Sequence, residues 1–130
     1  MALILTVDDE EAILQILYSL LQAEGHSVLK ASDGQSAIDM IESNPDIELV
    51  ISDVRMNPVN GYEVLKNSKL KRPELPVIMV TAFYSEDTAK DFLKLGAFAY
   101  LAKPFKPFVL LQKINSALSK GSKSNAAESS

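Results

Sequence analysis

Short runs of apolar residues alternate along this chain with longer stretches in which apolar positions recur every three or four residues. The first pattern suits strands buried on both faces of a sheet, the second amphipathic helices packed against it. Leu3–Val7 reads as a first strand, and Ala12, Ile13, Ile16, Leu17, Leu20 and Leu21 then follow at helical spacing until Gly25 supplies a stop. Residues 28–31 form a shorter strand, and Asp33-Gly34 turns into a second helix with Ala37, Ile38 and Ile41 on one face, closed by Asn44-Pro45. A central strand covers 48–53, and after Gly61 a third helix carries Val64 and Leu65 and ends before Pro73. Residues 76–81 make a fourth strand; Ser85 caps a fourth helix with Ala89, Phe92 and Leu93 inward and Gly96 at its end. Residues 98–102 are a fifth strand, and Pro107 opens a last helix containing Leu110, Leu111, Ile114 and Leu118.

Strict alternation of strands and helices, with right-handed crossovers, predicts an α/β fold built on a doubly wound, five-stranded parallel sheet; strand order 2-1-3-4-5 is one of two common choices. No internal repeat interrupts the pattern. In that order the carboxyl ends of strands one, three, four and five share the edge at which open α/β sheets bind ligands. Each ends in a polar residue: Asp8-Asp9, Asp53, Thr81 and Lys103. Singly, each has an ordinary reading: a helix N-cap or turn carboxylate, a surface hydroxyl, a solvated lysine. Jointly they describe a chemical site.

Composition narrows the classes. The chain has 130 residues, 47% of them hydrophobic and 23% charged, which fits one globular domain burying roughly two-thirds of its unfolded surface. From Ser119 onward five of twelve residues are serine and little is apolar, so residues 119–130 are expected to be a disordered tail or linker. No apolar run approaches a membrane span, and the acids at positions 8 and 9 come too early for a signal peptide, so a cytoplasmic location is expected and no membrane partner. The absence of cysteine excludes disulfides and thiolate chemistry, and a net charge of −4 argues against a nucleic-acid surface within this chain.

Three carboxylates drawn into one small volume keep their charge only beside a cation or hydrogen-bond donors. An all-oxygen ligand set favours Mg²⁺, which keeps waters and open positions for phosphate oxygens. A metal, a lysine, a hydroxyl and one unpaired carboxylate are the parts of phosphoryl transfer to an aspartate.

Four motifs in this order carry a family resemblance: Val7-Asp8-Asp9-Glu10; Asp53-Val54-Arg55-Met56 with Gly61 eight residues after the aspartate; Thr81-Ala82; and Leu95-Gly96-Ala97-Phe98-Ala99-Tyr100-Leu101-Ala102-Lys103-Pro104-Phe105. Over roughly residues 3–118 the chain resembles the receiver domain of two-component response regulators, a flavodoxin-like fold, with residues 1–118 as the domain. The resemblance implies that Asp53 accepts a phosphoryl group from a sensor histidine kinase or phosphotransfer protein. It implies that Asp9, Asp53 and the Arg55 carbonyl ligate Mg²⁺ directly, with Asp8 acting through water. Thr81, the Ala82 amide and Lys103 would hold the phosphoryl oxygens, with Lys103-Pro104 in the cis form. Such a domain is not an enzyme in the ordinary sense, since it catalyses only its own phosphotransfer and dephosphorylation. Its output would lie on the face of the fourth helix, fifth strand and last helix, with Thr81 as lever. Movement of Thr81 would admit the ring of Tyr100, which strand alternation could otherwise leave facing outward. That face carries Lys90, Asp91, Lys94 and Lys113, suited to a homodimer or an output protein.

One departure stands out: the family usually has proline directly after the Met56 position, where this chain has Asn57 and then Pro58. His26, the single histidine, follows Gly25 and reads as a solvated surface residue rather than a phosphorelay histidine. Other classes fit less well. A flavin carrier would be repelled by Asp8-Asp9-Glu10-Glu11, and an aspartate-nucleophile phosphatase needs a second acid where Arg55 stands. A degenerate receiver used only for protein contacts would not need the set Asp8, Asp9, Asp53, Thr81 and Lys103.

Overall fold

The computed structural model describes residues 1–56 and 58–126, the side chains of 120–126 excepted. Asn57, the departure in the loop, lies outside the described residues, as do 127–130. The elements run β1 (Leu3–Val7), α1 (Glu11–Ala23), β2 (Ser27–Ala31), α2 (Gly34–Ser43), β3 (Leu49–Asp53), α3 (Gly61–Lys71), β4 (Val77–Thr81), α4 (Glu86–Lys94), β5 (Ala99–Ala102) and α5 (Pro107–Ala126). The sheet is parallel throughout in the order β2-β1-β3-β4-β5. Every residue of β3 and β4 is buried, as expected of central parallel strands covered on both faces.

Strand alternation divides the core in two. Leu5, Val7, Val50, Val77 and Met79 pack against Ala37 and Ile41 of α2, Val64 and Leu65 of α3, and Ala89 and Phe92 of α4. On the other face Ile4, Leu49, Ile51, Ile78 and Val80 meet Leu17 and Leu21 of α1 and Leu110, Ile114 and Ala117 of α5. Each fully buried side chain of this size contributes ~1.5–3 kcal/mol.

Local chemistry sets the boundaries. Asp33, Asn60 and Ser85 accept the Ser36, Glu63 and Thr88 amides at 2.7, 3.1 and 3.1 Å and so cap α2, α3 and α4. Gly25 and Gly96, with φ of 90° and 107°, turn the chain out of α1 and α4, a backbone conformation costly for any residue with a Cβ.

Three side chains depart from the apolar pattern, the small Ala12, which is exposed at the start of α1, and two large ones. Leu93, expected inward, is 47% exposed, and Ile16 is 53% exposed. In both helices the buried stripe is narrower than the apolar one: Ala89 and Phe92 face the sheet in α4, and Leu14, Leu17 and Leu21 in α1. The bounds of α5 take in residues 119–126, which composition assigned to a tail or linker; once a helix is nucleated, each further residue adds a hydrogen bond at low cost.

Candidate functional site

The carboxyl ends of β1, β3, β4 and β5 meet at one edge. Asp8 follows β1 and is 2% exposed, Asp53 ends β3 at 7%, and Thr81 ends β4 at 1%. Asp9 is exposed at the rim, yet one oxygen from each of Asp8, Asp9 and Asp53 lies within 4.8 Å of the others. Three acids so close, two of them buried, are an oxygen-only donor set of the kind a hard divalent cation takes. Lys103, following β5, reaches the same cluster. Its Nζ donates to Asp8 Oδ2 at 2.7 Å and stands 3.4 Å from Asp53 Oδ1 and 3.7 Å from Glu10 Oε1.

One ammonium does not balance this much negative charge. Burial, then the charge of Asp8, pushes the Asp53 carboxyl above its ordinary pKa, against the pull of Lys103 and the Val54 amide. Burial pulls the Lys103 ammonium down, but its hydrogen bond to Asp8 and the charges of Asp8 and Asp53 outweigh that and hold its pKa above the ordinary value. The site therefore has the electrostatics of a cation-binding cavity.

Backbone geometry positions each group. Asp8 Oδ1 accepts the Glu10 amide at 2.9 Å, which turns the chain into α1, and the Asp8 amide donates to the Ala31 carbonyl at 3.1 Å. Asp53 Oδ1 accepts the Val54 amide at 2.9 Å. The β3–α3 loop is closed by the Gly61 amide donating to the Val54 carbonyl at 2.8 Å. Gly61 must lack a side chain, since a Cβ there would lie 2.2 Å from the Asp53 carbonyl oxygen. Arg55, on this loop, lays its guanidinium 4.1 Å from the ring centre of Phe83. Thr81 Oγ1 accepts the Phe83 amide at 3.0 Å, and the Thr81 carbonyl accepts the Lys103 amide at 2.7 Å. Ala82 follows Thr81 at the exposed start of the β4–α4 loop, and the Lys103-Pro104 bond is cis.

Tyr100 differs from the outward orientation that alternation allowed. It is 7% exposed, stacked on Phe92 with ring centroids 5.2 Å apart and tilted against Tyr84 at 5.4 Å. Burial pushes its phenol pKa up, moderated by the Thr81 hydroxyl beside it. Pattern reading also missed three groups at this edge: Glu10, near Lys103, and the Val54 and Phe83 amides. Only Glu10 had a signal in the sequence, the acid run 8–11.

The family model described as "Response regulator receiver domain" matches residues 4–115. The response regulator SaeR of Staphylococcus aureus (strain USA300) is 35% identical over 117 residues, 90% of this chain and 50% of that protein. The chain thus spans about half the length of the curated relatives it matches. A response regulator receiver domain protein from Clostridium thermocellum superposes with a TM-score of 0.88 at 36% identity, covering 92% of this chain and 96% of that one. The CheX–CheY complex with BeF3 and Mg²⁺ from Borrelia burgdorferi matches with a TM-score of 0.83 at 29% identity, covering 88% and 87%.

Proposed function

The chain belongs to the response regulator receiver family, and from that membership we propose that Asp53 is its phosphoacceptor, charged by a sensor histidine kinase or phosphotransfer protein with Mg²⁺ held by Asp8, Asp9, Asp53 and the Arg55 carbonyl. As a receiver the chain is a signalling domain of a two-component system. The single observation that carries the residue assignment is the convergence of three carboxylates within 4.8 Å around a lysine that reaches two of them.

The contacts divide the labour. Both the Val54 amide and Lys103 approach Asp53 through Oδ1, so Oδ2 is the oxygen presented to phosphorus. Oδ2 attacks in line, the P–N bond of the phosphohistidine breaks, and its electron pair returns to the imidazole nitrogen. A bound Mg²⁺ supplies neutralisation of the phosphoryl oxygens. Lys103 adds a fixed positive charge on the same group, and the Ala82 amide donates to it. Thr81 Oγ1 is an acceptor in its bond with Phe83, so its proton remains available to a phosphoryl oxygen. Attack of water on phosphorus later returns inorganic phosphate and the free Asp53 carboxylate, so the domain turns over only itself.

The output reading places the changing face on α4, β5 and α5. Thr81 lies between the acid edge and Tyr100, so drawing its hydroxyl to the phosphoryl group withdraws it from Tyr100. The exposed charges Lys90, Asp91, Lys94 and Lys113 suit a reversible homodimer or output-protein contact. Residues 1–118 form the receiver in this reading, with 119–130 as tail or linker, and the domain works in the cytoplasm.

Incubation with acetyl phosphate and Mg²⁺ followed by intact-mass measurement tests the assignment. One added phosphoryl group is expected in the wild type and none without the metal ion. No modification in the wild type would instead indicate a receiver used only for protein contacts.

A further inference from the structure

The loop from Val54 to Asn60 is tied at its base by the bond from the Gly61 amide to the Val54 carbonyl. Its outer end rests on a different element. Gly34, the first residue of α2, is buried, and a Cβ there would lie 2.2 Å from the Val59 carbonyl oxygen, 2.7 Å from Val59 Cγ1 and 2.8 Å from the Val59 carbonyl carbon. The first distance is far inside van der Waals contact, and the atom met is backbone, so no rotation of the Val59 side chain relieves it. The helix itself has no need of glycine here: the positive-φ glycines are Gly25 and Gly96, not Gly34. A glycine opening a helix is entropically unfavourable, and at Gly34 the approach of the loop is what requires it.

Gly34 is also anchored. Asp33 caps the Ser36 amide at 2.7 Å with one oxygen and accepts the Ser36 hydroxyl at 3.0 Å with the other, while Ala37 and Ile41 are buried in the core. A collision at Gly34 therefore displaces the loop rather than the helix. With Val54 directly after β3 and held by Gly61, the displacement falls on the few residues between Val54 and Val59, and Arg55 is among them.

We propose that Gly34 is a positioning residue for the phosphoacceptor loop: its bare Cα is the seat for Val59, and through Val59 it sets where the Arg55 carbonyl stands relative to the three aspartates. The link to metal binding rests on the function proposed above. The seat itself is a property of the metal-free protein and is testable there.

The experiment uses the full chain. Amide spectra of metal-free Gly34→Ala should show shifts concentrated at residues 54–61 and faster hydrogen exchange at the Gly61 amide. Mg²⁺ titration should show affinity lowered about tenfold, the scale for loss of a group that orients a metal ligand. Ile41→Val, which weakens the same helix without touching the loop, should retain wild-type Mg²⁺ affinity. If Gly34→Ala does not fold, Val59→Gly decides, because it removes the seated side chain and frees the loop while leaving α2 intact; it should show the same faster exchange and weaker binding. Unmoved loop amides with wild-type Mg²⁺ affinity in the folded variant would overturn the proposal. Wild-type protein that takes up no Mg²⁺ overturns the functional reading, and the metal-free spectra then still decide for or against the seat.

Discussion

The two ends of the sheet treat charged side chains in opposite ways. At the amino edge, polar side chains are turned on the backbone of neighbouring loops. His26 Nδ1 accepts the Ala2 amide at 3.1 Å, and Glu48 Oε2 accepts the Leu3 amide at 3.2 Å. Arg72 donates to the Ile47 carbonyl at 2.6 Å and the Asn44 carbonyl at 3.4 Å, and Lys69 to the Leu75 carbonyl at 2.7 Å. Lys69 closes the turn between α3 and β4, and the other bonds tie together loops that are distant in sequence. At the carboxyl edge the charges face one another: Asp8, Asp53 and Glu10 lie around Lys103 and Asp9 lies beside the two buried aspartates, with negative charge in excess. One edge is satisfied by the fold itself; the other is held in a strained charge state that a cation or a phosphoryl group would change. Charge that packing does not require is the mark of function here.

That contrast is broken most completely by Asp53→Asn, which should abolish phosphoryl uptake in the intact-mass assay, since an amide is a poor nucleophile. Lys103→Ala comes next. It leaves buried Asp8 and Asp53 without their cation and should cost about 3 kcal/mol in metal-free denaturant unfolding, the scale of a broken buried pair, with partial recovery in Mg²⁺. At the other edge Arg72→Ala should cost ~1–3 kcal/mol by orphaning the Ile47 carbonyl, the Asn44 carbonyl keeping the Ile47 amide, while phosphorylation per folded molecule stays at the wild-type level. If it slows phosphorylation as much as it lowers stability, the two edges are not independent.

The edges should also answer pH with opposite sign. The folded pKa of Asp53 is raised, so its contribution favours folding at low pH and is lost as pH rises through that pKa; Asp53→Asn should therefore raise metal-free stability at neutral pH, measured by thermal melting. His26 is the reverse case. Burial, then the positive chain terminus, lowers its pKa below 6.5, against Glu24 and Glu48. Its stabilising neutral form is fully present above 6.5 and is lost as pH falls toward the lowered value. The smallest predicted effect is thus that His26→Gln flattens the loss of stability just below that pH. An unchanged acid slope would remove His26 from the amino-edge account.

Much of this was legible in the chain. Strands buried on both faces must be apolar runs, so β1, β3 and β4 stood out, and caps such as Ser85 have a chemical reason to sit where they do. The acid edge was legible because parallel strands bring their carboxyl ends together whatever lies between them. What escaped notice depends on partners distant in sequence. His26 is half-buried rather than solvated because the Ala2 amide reaches it across 24 residues. Tyr100 faces inward because Phe92 and Tyr84 form a slot for it, and no alternation rule contains that information. Lys103 lies nearer Asp8 than Asp53, a choice made by three dimensions alone.

The aromatic stack has an optical consequence. The chain has four tyrosines and no tryptophan, so its near-ultraviolet signal comes from phenol and phenyl rings. Tyr84 and Tyr100 stand 5.4 Å apart, with Phe92 stacked at 5.2 Å on Tyr100 and Tyr62 edge-on to Phe92 at 6.4 Å. At such separations the transition dipoles couple, and a rigid, asymmetric stack gives circular dichroism bands that depend steeply on ring angle. A small rotation of Tyr100, or a shift of the loop that carries Tyr84, changes those bands without any label. The domain carries its own chromophore at the joint between Thr81 and α4.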